Sequence, residues 1–385
     1  MLKVDLNTAF LKINFAVIFG LVTLLFCFDF LDKIEIFYGI DFPKFNRFIK
    51  AAAVFYAIGF IVFHLSYVMG KLKYLICTTI ALSLIFALKY NYWDLYFPEF
   101  FRYMFILILY PVLHFSFHYS KHQEFLRLFY LVLKTFMIAN LIAIFAGMIF
   151  NIEVFHTYQY GRAGYNGFLL SQGLTPYVYM SATVIFWAKK DNWMLVVVLL
   201  SSILSGVKGA YLGEFMLILI LLYFSQNLSK AYKMRLGAIC LAGFLVALTV
   251  IFMTPTFRQV IQEDGIVSAL FSYRIDNLIE AIETSPDGSF NFLIGGVGLE
   301  TVRLEMQLVD MMLLFGIIGI IIYGYFMVSV FMDVLKNNQS KAFFIASLSL
   351  SLLSGNLFYI PLAILLFFLT IFCLNQELIQ NGEKA

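Results

Sequence analysis

Two carboxylates stand at the start of a long apolar run in the C-terminal part of the chain. Glu305 precedes the run, and Asp310 lies five residues later, inside it. On one continuous helix this spacing would put the two side chains about 140° apart, so we do not predict a dyad. An ionisable group near a membrane is costly to bury and is therefore a candidate for function. Partial burial raises a carboxyl pKa towards that of a general base, so Glu305 or Asp310 could accept a proton from a hydroxyl group. The other would position substrate or pair with an arginine, and a salt bridge of Asp310 to an arginine is the structural alternative.

Four basic residues are candidates for binding an anion near the same membrane face: Arg162, Lys208, Arg274 and Arg303. An arginine fork binds phosphate oxygens in pairs, and a lysine binds them as a point charge. A pyrophosphate-linked lipid is the anionic substrate expected at this depth. For any one of these residues the alternative is a side chain that only anchors the end of a span at the interface. Several cations on one face, flanked by glycine or tyrosine, favour a binding role for the set.

The composition indicates a protein that lies in a membrane. Hydrophobic residues make up 62% of the 385 residues and charged residues 13%, and the mean hydropathy is +0.90. A soluble domain is nearer to about half apolar and a quarter charged. We therefore predict a single integral membrane domain over residues 1–385, in contact with membrane lipids. The net charge of +3 is too small to indicate a nucleic-acid partner.

Apolar runs recur along the whole chain, and a helical span needs about 20 such residues. We predict an all-α polytopic membrane protein with about twelve transmembrane helices, within a range of eleven to thirteen. The spans are expected near 9–31, 50–70, 72–90, 102–119, 125–150, 169–188, 192–207, 209–225, 235–254, 308–332, 342–358 and 360–375. An even number puts both termini on one side, and the short lysine-rich loops predict that this side is the cytoplasm.

Three segments on the other side, predicted to be periplasmic, are longer than a connection needs. The largest is 255–307, the second is 151–168, and the third, 32–49, is rich in charge. Within the largest, 266–283 places apolar residues at helical spacing, which predicts an amphipathic helix at the membrane interface. Gly295, Gly296 and Gly298 follow, and they favour a tight turn or a close approach of the backbone to a ligand.

Four short motifs follow one another between residues 160 and 320. They are Gly161–Phe168 followed by Gln172–Pro176, then Leu204–Ala210, then Tyr273–Ile275 leading to Leu293–Gly298, and last Glu305, eleven residues before Gly316. Together with the span count and the loop placement, these motifs resemble the superfamily of O-antigen polymerases (Wzy-type) and O-antigen ligases, which are glycosyltransferases of the bacterial inner membrane. Lys208 stands where the family usually has arginine. Glu305 stands where the ligases commonly have histidine, which favours the polymerase.

The resemblance implies a GT-C-like glycosyltransferase that needs no metal or other cofactor. Its substrates would be undecaprenyl-pyrophosphate-linked oligosaccharides, and a flippase and a chain-length regulator would be its partners. Arg162, Lys208, Arg274 and Arg303 would hold the donor pyrophosphate. Glu305 or Asp310 would act as the base towards the acceptor hydroxyl.

Three alternatives stay open at this point. An O-antigen ligase would share the fold and use a different acceptor. A lipid-linked oligosaccharide flippase or another transporter would suit twelve spans, but it should have two similar halves, and segment 255–307 has no counterpart in the first half. A scaffold for polysaccharide assembly would leave the arginines unexplained.

Overall fold

The computed structural model of the chain describes most of its length. The described residues are 2–88, 93–119, 124–159, 164–170, 172–226, 228–263, 265, 268–269, 274, 277–279, 292–296, 304–353, 355 and 357–382. Within these residues the backbone is helical apart from short turns and two isolated bridges. The predicted all-α class is therefore confirmed for this part of the chain.

The helices follow the apolar runs of the sequence. They are α1 (Leu2–Tyr38), α2 (Phe45–Phe63), α3 (Leu65–Lys71), α4 (Lys73–Ala87), α5 (Trp93–Tyr119), α6 (Glu124–Phe150), α7 (Thr175–Ala188), α8 (Asn192–Leu204), α9 (Lys208–Phe224), α10 (Lys230–Phe252), α11 (Pro255–Glu263), α12 (Gln307–Val334), α13 (Asn338–Leu353) and α14 (Pro361–Gly382).

Among the described helices, six are long and apolar enough to cross a membrane: α1, α2, α5, α6, α10 and α12. A seventh span is present if α3 and α4, which meet at 94°, are counted as one broken span. A backbone can cross hydrocarbon only if its polar groups are satisfied internally, as they are in a helix. The helices thus support a membrane-embedded, multi-pass protein.

The core lies around α7. Proline near its N-terminus starts this helix without losing an internal hydrogen bond, and its side chains are buried from Thr175 to Phe186. Helices α8, α9, α13 and α14 pack around it. Gly213 of α9 allows close packing here, since a Cβ atom would lie 2.6 Å from the Met180 sulfur. By contrast, α10 buries none of its apolar window and is peripheral.

Two predicted boundaries differ from the structure. Helix α1 continues to Tyr38, so the charged segment 32–49 is mostly helical and its connection is only 39–44. The predicted span 50–70 is divided at His64, between α2 and α3. The sequence does not predict this break, because the apolar run continues through it. Helix α11 begins segment 255–307. Of the predicted amphipathic helix 266–283, the residues 268–269, 274 and 277–279 are helical, and the rest lies outside the described residues.

Candidate functional site

Helix α12, which follows the two candidate carboxylates, is broken at Gly316. The backbone of this residue has φ 68° and ψ −173°, a conformation that only glycine adopts readily. The residues 292–296 lie in the break: Ile317 N donates to Phe292 O at 3.0 Å, and Gly296 N donates to Leu313 O at 2.8 Å. A Cβ atom on Gly295 would lie 2.5 Å from the Leu314 carbonyl carbon. The close approach predicted for these glycines is therefore to the backbone of α12, and it fixes the end of segment 255–307.

Glu305 is held in an unusual backbone conformation just before α12. Its φ is 55°, which is uncommon for a residue other than glycine. Its carbonyl oxygen accepts a hydrogen bond from Gly355 N at 3.0 Å, and Met306 pairs with Gly355 in an isolated parallel bridge. Gly355 in turn lies against Tyr177 of the central helix, since an added Cβ would be 2.9 Å from the tyrosine oxygen. The core thus determines where the Glu305 backbone lies.

The carboxylate of Glu305 forms an ion pair with Arg274. The Nη2 atom of Arg274 donates to Oε2 of Glu305 at 3.0 Å, and its Nη1 atom donates to Leu353 O at 3.4 Å. The Arg274 side chain is 16% exposed and that of Glu305 is 49% exposed. An ion pair with so much solvent access contributes little to stability, about 0–1 kcal/mol. The fold therefore holds a cation and a carboxylate in contact at the surface, although this contact adds little to the free energy of unfolding.

Asp310 has a different environment from Glu305. It is 1% exposed, and its Oδ1 atom accepts a hydrogen bond from Leu304 N at 3.0 Å. Glu305 precedes α12, which begins at Gln307, so the two carboxylates do not lie on one helix and the predicted angle between them does not apply. The Asp310 side chain holds the residue next to Glu305 in place.

Gln307 connects this segment to the core. It is 1% exposed, donates from Nε2 to the Tyr103 oxygen at 3.0 Å and accepts at Oε1 from Phe358 N at 3.0 Å. Both bonds use buried partners, so the first turn of α12 is fixed to α5 and to the turn that precedes α14.

Lys208 links two of the predicted motifs. Its Nζ atom donates to Ala269 O at 2.9 Å, five residues before Arg274 in the sequence. The preceding turn is covered by segment 151–168: Thr157 Oγ1 donates to Ser205 O at 2.5 Å. Tyr165 N donates to Leu204 O at 2.8 Å. Segments 151–168, 204–208 and 255–307 therefore meet at one end of the helix bundle, which we call the loop face.

Four of the six candidate site residues lie at the loop face. The structure brings Arg274, Glu305, Asp310 and Lys208 to the loop face, and the chemical role of each stays a prediction. Arg162 and Arg303 lie outside the described residues.

Two further ionisable residues, Arg102 and Glu214, were not predicted as site residues and make defined contacts in the structure. The guanidinium of Arg102, at the exposed start of α5, lies 4.3 Å from the centre of the Tyr359 ring. Glu214 is 4% exposed within α9, and its Oε1 atom accepts from Thr183 Oγ1 at 2.9 Å. The available signal for Glu214 was a lone acid in an apolar helix, which marks a functional candidate.

Within the part of the chain that the structure describes, no group of three or more His, Cys, Asp or Glu side chains could hold a metal ion. Comparisons of the chain with protein-family models, with curated proteins and with solved structures gave no match.

Proposed function

We propose that this chain is an O-antigen, or surface polysaccharide, polymerase. It would join undecaprenyl-pyrophosphate-linked oligosaccharide repeat units at the periplasmic face of the inner membrane. The observation that carries the proposal is the ion pair of Arg274 with Glu305 at 3.0 Å. Gly355 holds the backbone of Glu305, and Lys208 binds the carbonyl oxygen of Ala269, five residues before Arg274. Lys208 supplies a further cation to the same loop face.

The two members of the pair have distinct chemical roles in this proposal. Arg274 binds oxygens of the donor pyrophosphate and stabilises the charge that develops on it as it leaves. Glu305 accepts the proton of the acceptor hydroxyl. The acceptor oxygen forms a bond to the anomeric carbon of the donor sugar, and the bond from that carbon to the pyrophosphate oxygen breaks. The lipid pyrophosphate departs with the bonding electrons.

The ion pair also suggests how the base is kept ready before the reaction. Without substrate, Arg274 neutralises Glu305 across a single contact. A bound pyrophosphate competes for the guanidinium, because a doubly charged oxygen cluster attracts it more strongly than one carboxylate does. Glu305 then loses its partner and is available to the hydroxyl proton. Asp310 acts in this scheme by positioning, through its bond to Leu304 N.

The proposal extends to the architecture. It includes about twelve spans in a GT-C-like arrangement, with both termini in the cytoplasm. A helix lies in every predicted apolar run, and six of the described helices, or seven with the broken pair, are long and apolar enough to cross a membrane. The meeting of segments 151–168 and 255–307 at one face supports a shared side for these two segments. Arg162 and Arg303 would join Arg274 at the pyrophosphate, and a flippase and a chain-length regulator would act with the enzyme.

A transporter of lipid-linked oligosaccharides is the second candidate, and one observation favours it. Glu214 is buried near the middle of α9, in the position expected of an ion-coupling residue. A chain of buried hydrogen bonds lies nearby: Tyr179 donates to Asn166 Oδ1 at 3.2 Å, and Asn166 Nδ2 donates to the Thr175 hydroxyl at 2.6 Å. If the chain is a transporter, Glu214 is essential for its activity and Glu305 is not.

The test is the length of surface polysaccharide made by a deletion strain that carries wild type, Arg274→Ala, Glu305→Gln or Glu214→Gln. Arg258→Ala is the matched control, since it removes an exposed arginine from the same segment 255–307. We expect Arg274→Ala and Glu305→Gln, like the empty strain, to leave single repeat units on lipid A core, and the control to make long chains. Membrane levels of each variant are measured in parallel.

Two other patterns would contradict the proposal. Bare core with single repeat units on the lipid carrier, produced by the deletion and by Glu214→Gln, indicates the transporter. Bare core with polymer on the carrier indicates the ligase.

A further inference from the structure

Lys33 is a buried lysine whose amine finds one hydrogen-bond acceptor and no opposite charge among the described residues. It lies in the last part of α1 and is fully buried, and its Nζ atom donates to Gly167 O at 2.7 Å. Its ammonium group also lies 5.7 Å from the centre of the Phe37 ring. The ion pairs between described residues do not include Lys33. The acids near it along α1 have other partners: Asp29 and Asp32 accept hydrogen bonds from Asn46, and Glu35 pairs with Lys44.

A buried ammonium group with one carbonyl acceptor is costly, because desolvation is not repaid by an opposite charge. Such a cost is expected where a ligand completes the site. An anion beside Lys33 would supply the missing charge.

His156 supplies a second incomplete polar group in the same region. Its Nε2 atom is buried and has no hydrogen-bond partner within the described part of the chain. Burial lowers the pKa of His156, Glu153 opposes this shift, and the nearby charge of Lys33 adds to it. The ring is therefore neutral at neutral pH and can donate a hydrogen bond to an anion without adding a second charge.

An apolar cavity of about 340 Å³ lies between α1 and α6. On α1 it extends from Val22 to Phe30, and Phe136 and Ala139 of α6 form the opposite wall. The separation of eight positions between Val22 and Phe30 corresponds to about 12 Å along the axis of α1. The cavity is thus elongated along membrane-spanning helices and suits a hydrocarbon chain.

The cavity and the buried cation are adjacent. Phe30, which lines the cavity, precedes Lys33 by three residues on α1, or about 4.5 Å along the helix axis. Phe168, which also lines it, follows Gly167, the residue whose carbonyl binds Lys33. Lys33 lies five residues before the end of α1 at Tyr38, so it is near one end of this apolar helix.

We propose that this place binds an anionic phospholipid, with its phosphodiester at Lys33 and His156 and one acyl chain in the cavity. Charge selects this ligand over a lipid pyrophosphate. One lysine matches the single negative charge of a phosphodiester, whereas a pyrophosphate would bring excess negative charge into a buried site. The site lies on α1, α6 and segment 151–168, and its argument does not use Arg274 or Glu305.

The test is native mass spectrometry of the full chain with equimolar phosphatidylglycerol and phosphatidylcholine of identical acyl chains. Wild type should retain one phosphatidylglycerol. Lys33→Met should reduce that retention about tenfold, the loss expected for one charged hydrogen bond. Lys33→Arg should restore it. Lys44→Met is the control, because Lys44 is an exposed lysine just after α1 that pairs with Glu35.

A second variant keeps the test decisive if Lys33→Met does not accumulate. Ala139→Trp fills the cavity without touching a charge, and it should also reduce retention of phosphatidylglycerol. Equal retention of the two lipids by wild type, or unchanged retention by Lys33→Met or Ala139→Trp, would overturn the proposal. Displacement of phosphatidylglycerol by an equimolar polyprenyl phosphate would show that the site selects a different lipid.

Discussion

Two pairs of charged or ionisable side chains lie at opposite ends of α12. At the start of the helix, Arg274 contacts Glu305. At its end, Asp333 contacts His114 of α5 at 3.1 Å and accepts a second hydrogen bond from Tyr74 at 3.2 Å. The two acids have similar exposed fractions, 49% for Glu305 and 43% for Asp333. Exposure therefore does not distinguish them.

The backbone and the number of partners do distinguish them. Asp333, His114 and Tyr74 all project from regular helices, and the other ring nitrogen of His114 lies 2.6 Å from the Tyr67 oxygen. This cluster satisfies itself and joins α3, α4, α5 and α12. Glu305 lies on a backbone with positive φ. Among the described residues, Arg274 is the partner of its carboxylate. The first cluster stabilises helix packing, whereas the second is positioned at a cost and can exchange its partner for a ligand.

The largest effect should come from removing the break that holds residues 292–296 against α12. Gly316→Ala would place a Cβ atom against the carbonyl carbon of Leu293 in a backbone conformation that alanine rarely adopts. We expect a loss of at least about 3 kcal/mol in the free energy of unfolding, measured in detergent. Gly324→Ala in the same helix is the control, since nothing lies within 4 Å of its added Cβ. Equal stability of the two variants would show that the break is not required.

The next test separates the two carboxylates of the loop face. Asp310→Asn should lower the free energy of unfolding by about 1–3 kcal/mol, because it weakens a buried hydrogen bond to Leu304 N. Glu305→Gln should change it by less than about 1 kcal/mol and yet abolish polymer formation. If Asp310→Asn folds as wild type and lacks polymer while Glu305→Gln makes polymer, Asp310 is the base.

The opposite end of α12 should respond in the reverse way. Asp333→Asn should lower the free energy of unfolding by about 1–2 kcal/mol, since it weakens the acceptor shared by His114 and Tyr74. Polymer made per molecule in the membrane should equal that of wild type. If Asp333→Asn is present in the membrane in normal amount and yet makes no polymer, the Asp333 end of α12 is also functional. The two ends of the helix would then not differ in role.

The smallest effect concerns Asp191, at the start of α8. The hydrogen bond from Tyr130 holds the pKa of Asp191 below its ordinary value. Its contribution to stability is therefore present at neutral pH and is lost as the pH falls through the lowered pKa. Tyr130→Phe should reduce stability slightly at pH 7, with the difference from wild type vanishing in acid. A constant difference across this range would assign the effect to packing.

Much of the fold could be predicted from apolar run length, because each long run became one or more helices. The break at Gly316 could not be predicted, since one glycine does not interrupt the hydrophobicity of the run and the break requires residues 292–296 to fill it. Charge usually ends a span, so the sequence predicts Lys33 in the connecting segment 32–49. In the structure α1 continues past it, and the lysine binds Gly167 O.

The candidate site could be predicted in its residue types but not in its geometry. Arg274 and Glu305 are separated by 31 positions, so no helical or strand periodicity relates them. Their contact depends on Gly355, which lies fifty residues beyond Glu305 and holds its carbonyl oxygen. The division of roles between Glu305 and Asp310 depends on burial, which one chain's sequence does not specify.

The most direct test of the central claim exchanges the two charges of the pair. Polysaccharide length is measured for Arg274→Glu, for Glu305→Arg and for the variant with both substitutions, each at equal membrane level. We predict that all three lack long chains, because the pyrophosphate needs the cation at 274 and the acceptor hydroxyl needs the base at 305. Long chains restored in the double variant would contradict the account, since any ion pair of either orientation would then be sufficient.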